Sequence, residues 1–63
     1  MQMLTFVVYL DQKNQWRWRL LAANNHTIAD SGEGYRDQTD CEAAVGLIQR
    51  HAAKAQIKLE AVR

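Results

Sequence analysis

The sequence predicts an α+β domain in which three strands are followed by one helix and a fourth strand, a βββαβ order. Three observations carry this expectation. Trp16, Trp18, Leu20 and Ala22 fall at every second position with Arg17, Arg19 and Leu21 between them, the alternation of a strand with one covered face. Cys41, Ala44, Val45, Ile48, Ala52 and Ala55 recur at the three- and four-residue spacing of a single amphipathic helix. Polar or glycine-bearing clusters separate the periodic segments, and the chain contains no proline to break any of them.

The first strand spans Met3 to Leu10, a run rich in β-branched and aromatic residues that stops at the polar cluster Asp11-Gln12-Lys13-Asn14. The second begins at Trp16. Asn24-Asn25 marks a tight reversal, because asparagine is the non-glycine residue that best tolerates positive φ. Thr27 to Asp30 is a short third strand, and the glycines of Ser31-Gly32-Glu33-Gly34 allow strained backbone angles in the link that follows. Thr39 with Glu42 three residues on fits a capping box, with Asp37 the alternative cap. The helix runs for about 16 residues, roughly 24 Å, with its basic residues late, where the dipole favours them. Gln56 to Arg63 alternates again, with Ile57, Leu59 and Ala61 on one face, and forms the fourth strand. Only Lys54-Ala55 separates it from the helix. A strand leaving a helix this abruptly is strained if it folds back onto its own sheet, and exchange with a second copy removes the strain. A homodimer is expected.

Length supports that expectation. A single domain of 63 residues buries only about 60% of the surface its unfolded chain exposes, so it needs a disulfide, a metal or a partner subunit. The lone Cys41 makes no internal disulfide, and Cys41, His26 and His51 lack the paired spacing of a metal set, so no metal and no cofactor is expected. Eight Lys and Arg against seven Asp and Glu give no global field to attract nucleic acid or an acidic membrane. The 48% apolar content excludes a disordered composition. The opening residues lack the basic region of a signal peptide, and no apolar run approaches the 18 or so residues of a membrane span. A soluble cytoplasmic protein with no membrane partner follows as the expectation.

Phe6-Val7-Val8-Tyr9 with Asp11, Trp16-Arg17-Trp18-Arg19-Leu20, Ala22-Ala23-Asn24, Ile28-Ala29, Ser31-Gly32-Glu33-Gly34-Tyr35 and the helical Val45, Ile48 and Ala52 together resemble the YegP-like domains of unknown function. The resemblance covers nearly the whole chain, read as one domain over 1–63. It implies a unit found in tandem or as two chains, with one continuous antiparallel sheet, exchanged C-terminal strands and helices on one face. With a single unit here, it implies a homodimer. Two positions depart from the pattern: Asn25 stands where the turn often has glycine, and Leu21 where a polar residue is common. The resemblance brings no established activity.

Trp16-Arg17-Trp18-Arg19 looks like a platform on which single-stranded nucleic acid stacks. Period two opposes this, since it sends both tryptophans to one face, under the helix with Leu20, Phe6 and Val8, and both arginines to the other. Arg17, Arg19, Tyr9 and Lys58 would then form a modest basic patch on an open sheet face, the candidate binding residues, although such faces are commonly plain solvated sheet. Ser31-Gly32-Glu33-Gly34-Tyr35 fails as a phosphate loop because no Lys-Ser/Thr follows; its glycines let the chain turn, Tyr35 packs at the join, and Ser31 or Glu33 bonds backbone N–H groups. Cys41 suits a buried inert thiol. Asp30, Glu33, Asp37 and Asp40 read as caps and solvated turns, not as a calcium loop. No pair of groups separates an acid from a base, so no catalytic residue and no enzymatic activity is expected. The functional expectation is a small interaction or stress-related module that pairs with itself and binds an unidentified protein partner. Weak nucleic-acid or anion binding through the open face is the alternative.

Overall fold

A computed structural model describes residues 3–61. Three strands, β1 (Thr5–Leu10), β2 (Trp16–Leu21) and β3 (Thr27–Asp30), form an antiparallel sheet in the order β1-β2-β3. One helix, α1 (Gln38–His51), follows and unwinds into a 3-10 turn at Ala52–Lys54. Strand β1 starts two residues later than expected; Met3 and Leu4 precede it and are 77% and 53% exposed.

Both hairpins turn on asparagine. Asn14 has φ 61° and Asn25 has φ 68°, left-handed angles that asparagine tolerates better than any other residue with a Cβ. In the first loop Asp11 Oδ1 accepts the N–H groups of Lys13 and Gln15, and the Asp11 N–H donates to the Gln15 carbonyl at 2.9 Å. In the second, Ala22 N–H donates to the His26 carbonyl, and Asn24 Oδ1 accepts the His26 N–H. The β2–β3 register shifts at Leu20/Leu21, next to that reversal.

Beyond β3 the chain stays tied to β2. Ser31, 6% exposed, donates its N–H to the Trp18 carbonyl, and its Oγ accepts the Trp18 N–H at 3.2 Å. Trp16 and Tyr35 then exchange backbone hydrogen bonds at 2.7 and 2.8 Å. Ser31 thus takes the backbone-bonding role. The glycines of the link do not use positive φ, contrary to the expectation of strained angles there. Gly34 is needed for space, because a Cβ on it would meet the Gln15 side chain as near as its Cβ, 2.8 Å away.

The capping box is not formed. Asp37 is the N-cap, with no side-chain cap hydrogen bond, and Thr39 lies within the first helical turn. The helix begins before Thr39, so Glu42 lies past the N3 position of a capping box and its Oε2 instead accepts from Gln38 Nε2, one turn back, at 2.9 Å. The helix is also shorter than expected, and its apolar stripe outruns the sheet: Cys41 and Val45 are buried and Ala44 and Ile48 half-buried, but Ala52 and Ala55 are exposed.

The core lies where α1 packs across β2 and β1: Cys41 and Val45 are buried on the helix, and Phe6, Val8, Trp18 and Leu20 are half-buried on one face of the strands. Phe6 and Trp18 meet edge to face with centroids 5.7 Å apart, a favourable quadrupole arrangement. Within this chain, residues 55–61 form no strand with the sheet; Ile57 and Leu59 are 97% and 96% exposed. Ala55 leaves the 3-10 turn with extended backbone, φ -69° and ψ 142°. Val62 and Arg63 of the expected fourth strand lie outside the described residues.

Candidate functional site

The sheet face turned away from α1 holds three of the four candidate residues. Tyr9 lies opposite Arg17 in the β1–β2 register, and Val7 opposite Arg19. Period two and this register bring Tyr9, Arg17 and Arg19 to one face, opposite to Trp16, Trp18 and Leu20. The Arg19 guanidinium sits 4.4 Å from the centroid of the Tyr9 ring, a cation–π contact. Lys58 is elsewhere: it belongs to the exposed C-terminal segment, and its Nζ is 3.4 Å from Glu60 Oε2.

Arg17 is already engaged. Its Nε donates to Asp11 Oδ2 at 2.7 Å, and Nη1 lies 3.5 Å from the Ser31 carbonyl, the outer limit of a hydrogen bond. The bond it donates to Asp11 pushes the Arg17 pKa up, and the backbone N–H of Gln15, the Arg17 guanidinium and the Lys13 N–H together hold the Asp11 carboxyl below its ordinary 3.8. Asp30 stands opposite Arg19 on β3. Two arginines therefore share the face with two aspartates, and the local charge is close to balanced. Asp11 and Asp30 are the residues that sequence reasoning did not connect with the patch. The signal for Asp11 is its place beside Leu10, because the turn that pairs Leu10 with Trp16 also returns Arg17 to the same edge of the loop.

Cys41 is fully buried, and burial pushes its thiol pKa up, which keeps it protonated and unreactive. Burial likewise raises the Tyr35 phenol. Among the described residues there is no group of three His, Cys, Asp or Glu placed to hold a metal ion, and no pocket. No helix among them is long and apolar enough to cross a membrane.

Residues 11–58 match the family model described as a domain of unknown function, DUF1508. The chain is 43% identical over 53 residues to the UPF0339 protein NMB1088 of Neisseria meningitidis serogroup B, covering 84% of this chain and 93% of that protein. It is 36% identical over 55 residues to a UPF0339 protein of Methanosarcina acetivorans, covering 87% and 93%. An NMR solution structure of a protein from Haloferax volcanii superposes with a TM-score of 0.85 at 32% identity, over 95% of this chain and 100% of that one. The chain thus belongs to the DUF1508 and UPF0339 family, as a YegP-like small domain of unknown function present in a single copy.

Proposed function

We propose that this chain acts as an obligate homodimer, a non-enzymatic cytoplasmic interaction module whose two copies complete each other's core by exchanging their C-terminal segments. The observation that carries the reading is surface area. The chain exposes 5763 Å², whereas a folded monomer of its 7.2 kDa mass exposes about 4,100 Å². The excess of roughly 1,600 Å² per chain is in the range that obligate homodimers bury on each partner. Much of it is apolar, since Met3, Leu4, Leu10, Ile28, Leu47, Ile57 and Leu59 are all at least half exposed. The radius of gyration of 13.5 Å against about 11 Å for a compact chain of this length has the same origin.

Light scattering across micromolar concentrations tests this. The expected mass is about twice 7.2 kDa, with a Tm that rises with protein concentration. A 7.2 kDa species with a concentration-independent Tm overturns it. The balance of Arg17 and Arg19 by Asp11 and Asp30 argues against nucleic acid as the partner of the open face. Titration with a single-stranded oligonucleotide is expected to leave the Tyr9, Arg17 and Arg19 resonances in place; salt-sensitive shifts there revive the alternative.

A further inference from the structure

We propose that the open face of the sheet is a docking surface for an amphipathic helix of a partner protein, which sets a carboxylate on Arg19, a basic side chain on Asp30, and apolar side chains on the row Val7, Leu21 and Ile28. This rests on the reading of the chain as an interaction module and adds to it the chemistry of the partner.

The two arginines of the face are engaged unequally. Arg17 is held by the Asp11 carboxylate at 2.7 Å. Arg19 is not. Asp30 stands directly opposite it on β3, where unlike charges commonly pair, yet the Arg19 guanidinium lies over the Tyr9 ring on the β1 side. Among the described residues no carboxylate forms an ion pair with Arg19 and no basic group forms one with Asp30. Both residues are exposed. The ring takes the guanidinium by its flat face and leaves the N–H groups at its edge open, the fork that a carboxylate fits. One unpaired cation therefore stands beside one unpaired anion. A nucleic-acid strand brings negative charge alone, and its phosphates would meet Asp30 as well as Arg19. A polypeptide that carries both signs complements both.

Apolar groups surround this pair. Val7 stands opposite Arg19, Leu21 lies two residues beyond Arg19 on β2, and Ile28 lies two residues before Asp30 on β3, so alternation brings all three to the face of the charges. Val7 and Leu21 are half-buried, and Ile28 is 55% exposed. With one of them on each strand, and strands about 4.8 Å apart, the row crosses the sheet over about 10 Å. Two turns of helix rise about 11 Å, and apolar side chains at i, i+4 and i+7 follow the same line. A sheet face has no free backbone groups to offer a strand; helices cover such faces in layered domains. The helix of this chain is already engaged, since α1 packs across β2 and β1.

The test is an NMR titration of the full chain with a designed helical peptide of about 15 residues, bearing leucines at i, i+4 and i+7 with one Glu and one Lys flanking them. Saturable shifts are expected at Val7, Arg19, Leu21 and Ile28. A peptide with its Glu and Lys exchanged should bind the native chain at least about tenfold more weakly, and the double variant Arg19→Glu with Asp30→Lys should reverse that preference. Equal affinity for the two peptides, or shifts confined to other surfaces, overturns the proposal. So do salt-sensitive shifts at Arg19 from a single-stranded oligonucleotide with none from the peptide. Light scattering on the same sample separates this inference from the homodimer. A dimer that shows no peptide shifts overturns the docking surface and leaves the homodimer standing, whereas a single-chain mass with the expected shifts does the reverse.

Discussion

The β1–β2 hairpin and the segment 55–61 have similar strand-forming sequences and opposite fates. The hairpin closes on itself: Asp11 serves three donors, Asn14 supplies the left-handed angle, and each residue of β1 meets a partner within 16 positions of it in the chain. The C-terminal segment has the same alternation of apolar and polar residues but no turn to return it, and its two large side chains stand in water. Alternation makes a strand possible; a reversal of the chain, or another chain, makes it form.

The sharpest way to break this contrast is to remove residues 56–63. In an isolated chain, loss of an exposed segment costs less than about 0.5 kcal/mol. In the exchanged dimer it removes both the interface and part of the core, and the truncated protein is expected to lose its dispersed NMR spectrum. Ile57→Asp tests the same point with one side chain. Its expected cost is about 1.5 to 3 kcal/mol per chain, the worth of a buried isoleucine, read as a fall in Tm and a rise in the monomer fraction; no change would place Ile57 in solvent for good.

The hairpin is broken differently. Gly34→Ala should destabilise by about 1 to 3 kcal/mol, because the new methyl meets the Gln15 Cβ, which cannot swing aside as its amide can. Dimer mass at low temperature should survive this change. Asp11 gives a pH signature. Its carboxyl is held below 3.8 in the fold, so its contribution is full above the ordinary value and is lost as pH falls through the depressed one. Denaturation curves between about pH 5 and about pH 2 should show this loss in the native chain and a shallower one in Asp11→Asn. Lys58→Ala should have the smallest effect, under about 0.5 kcal/mol, since its ion pair with Glu60 is exposed at both ends.

Much of this was legible because local rules govern it. Period two placed Trp18 with Phe6 on one face and Arg17 and Arg19 on the other, and the tolerance of asparagine for positive φ located the second reversal at Asn25. What sequence could not supply was competition among side chains. Thr39 and Glu42 satisfy a capping pattern, but the helix starts at Gln38, which puts Thr39 inside the first turn and leaves Glu42 to the Gln38 side chain. Arg17 reads as a free cation until the loop brings Asp11 within 2.7 Å of it. Lys58 joins the other candidates only if another chain carries it there.

The two asparagine reversals also order events in time. Each closes a loop between neighbours in sequence, so β1, β2 and β3 can assemble on the microsecond scale of hairpin formation, without reference to any other molecule. In the proposed dimer, docking of the C-terminal segment onto a second copy is bimolecular. Refolding should then show an early phase indifferent to protein concentration and a later one that quickens with it. Between the two, each newly made chain of such a dimer would carry an open strand edge that any extended peptide could occupy before a second copy arrives.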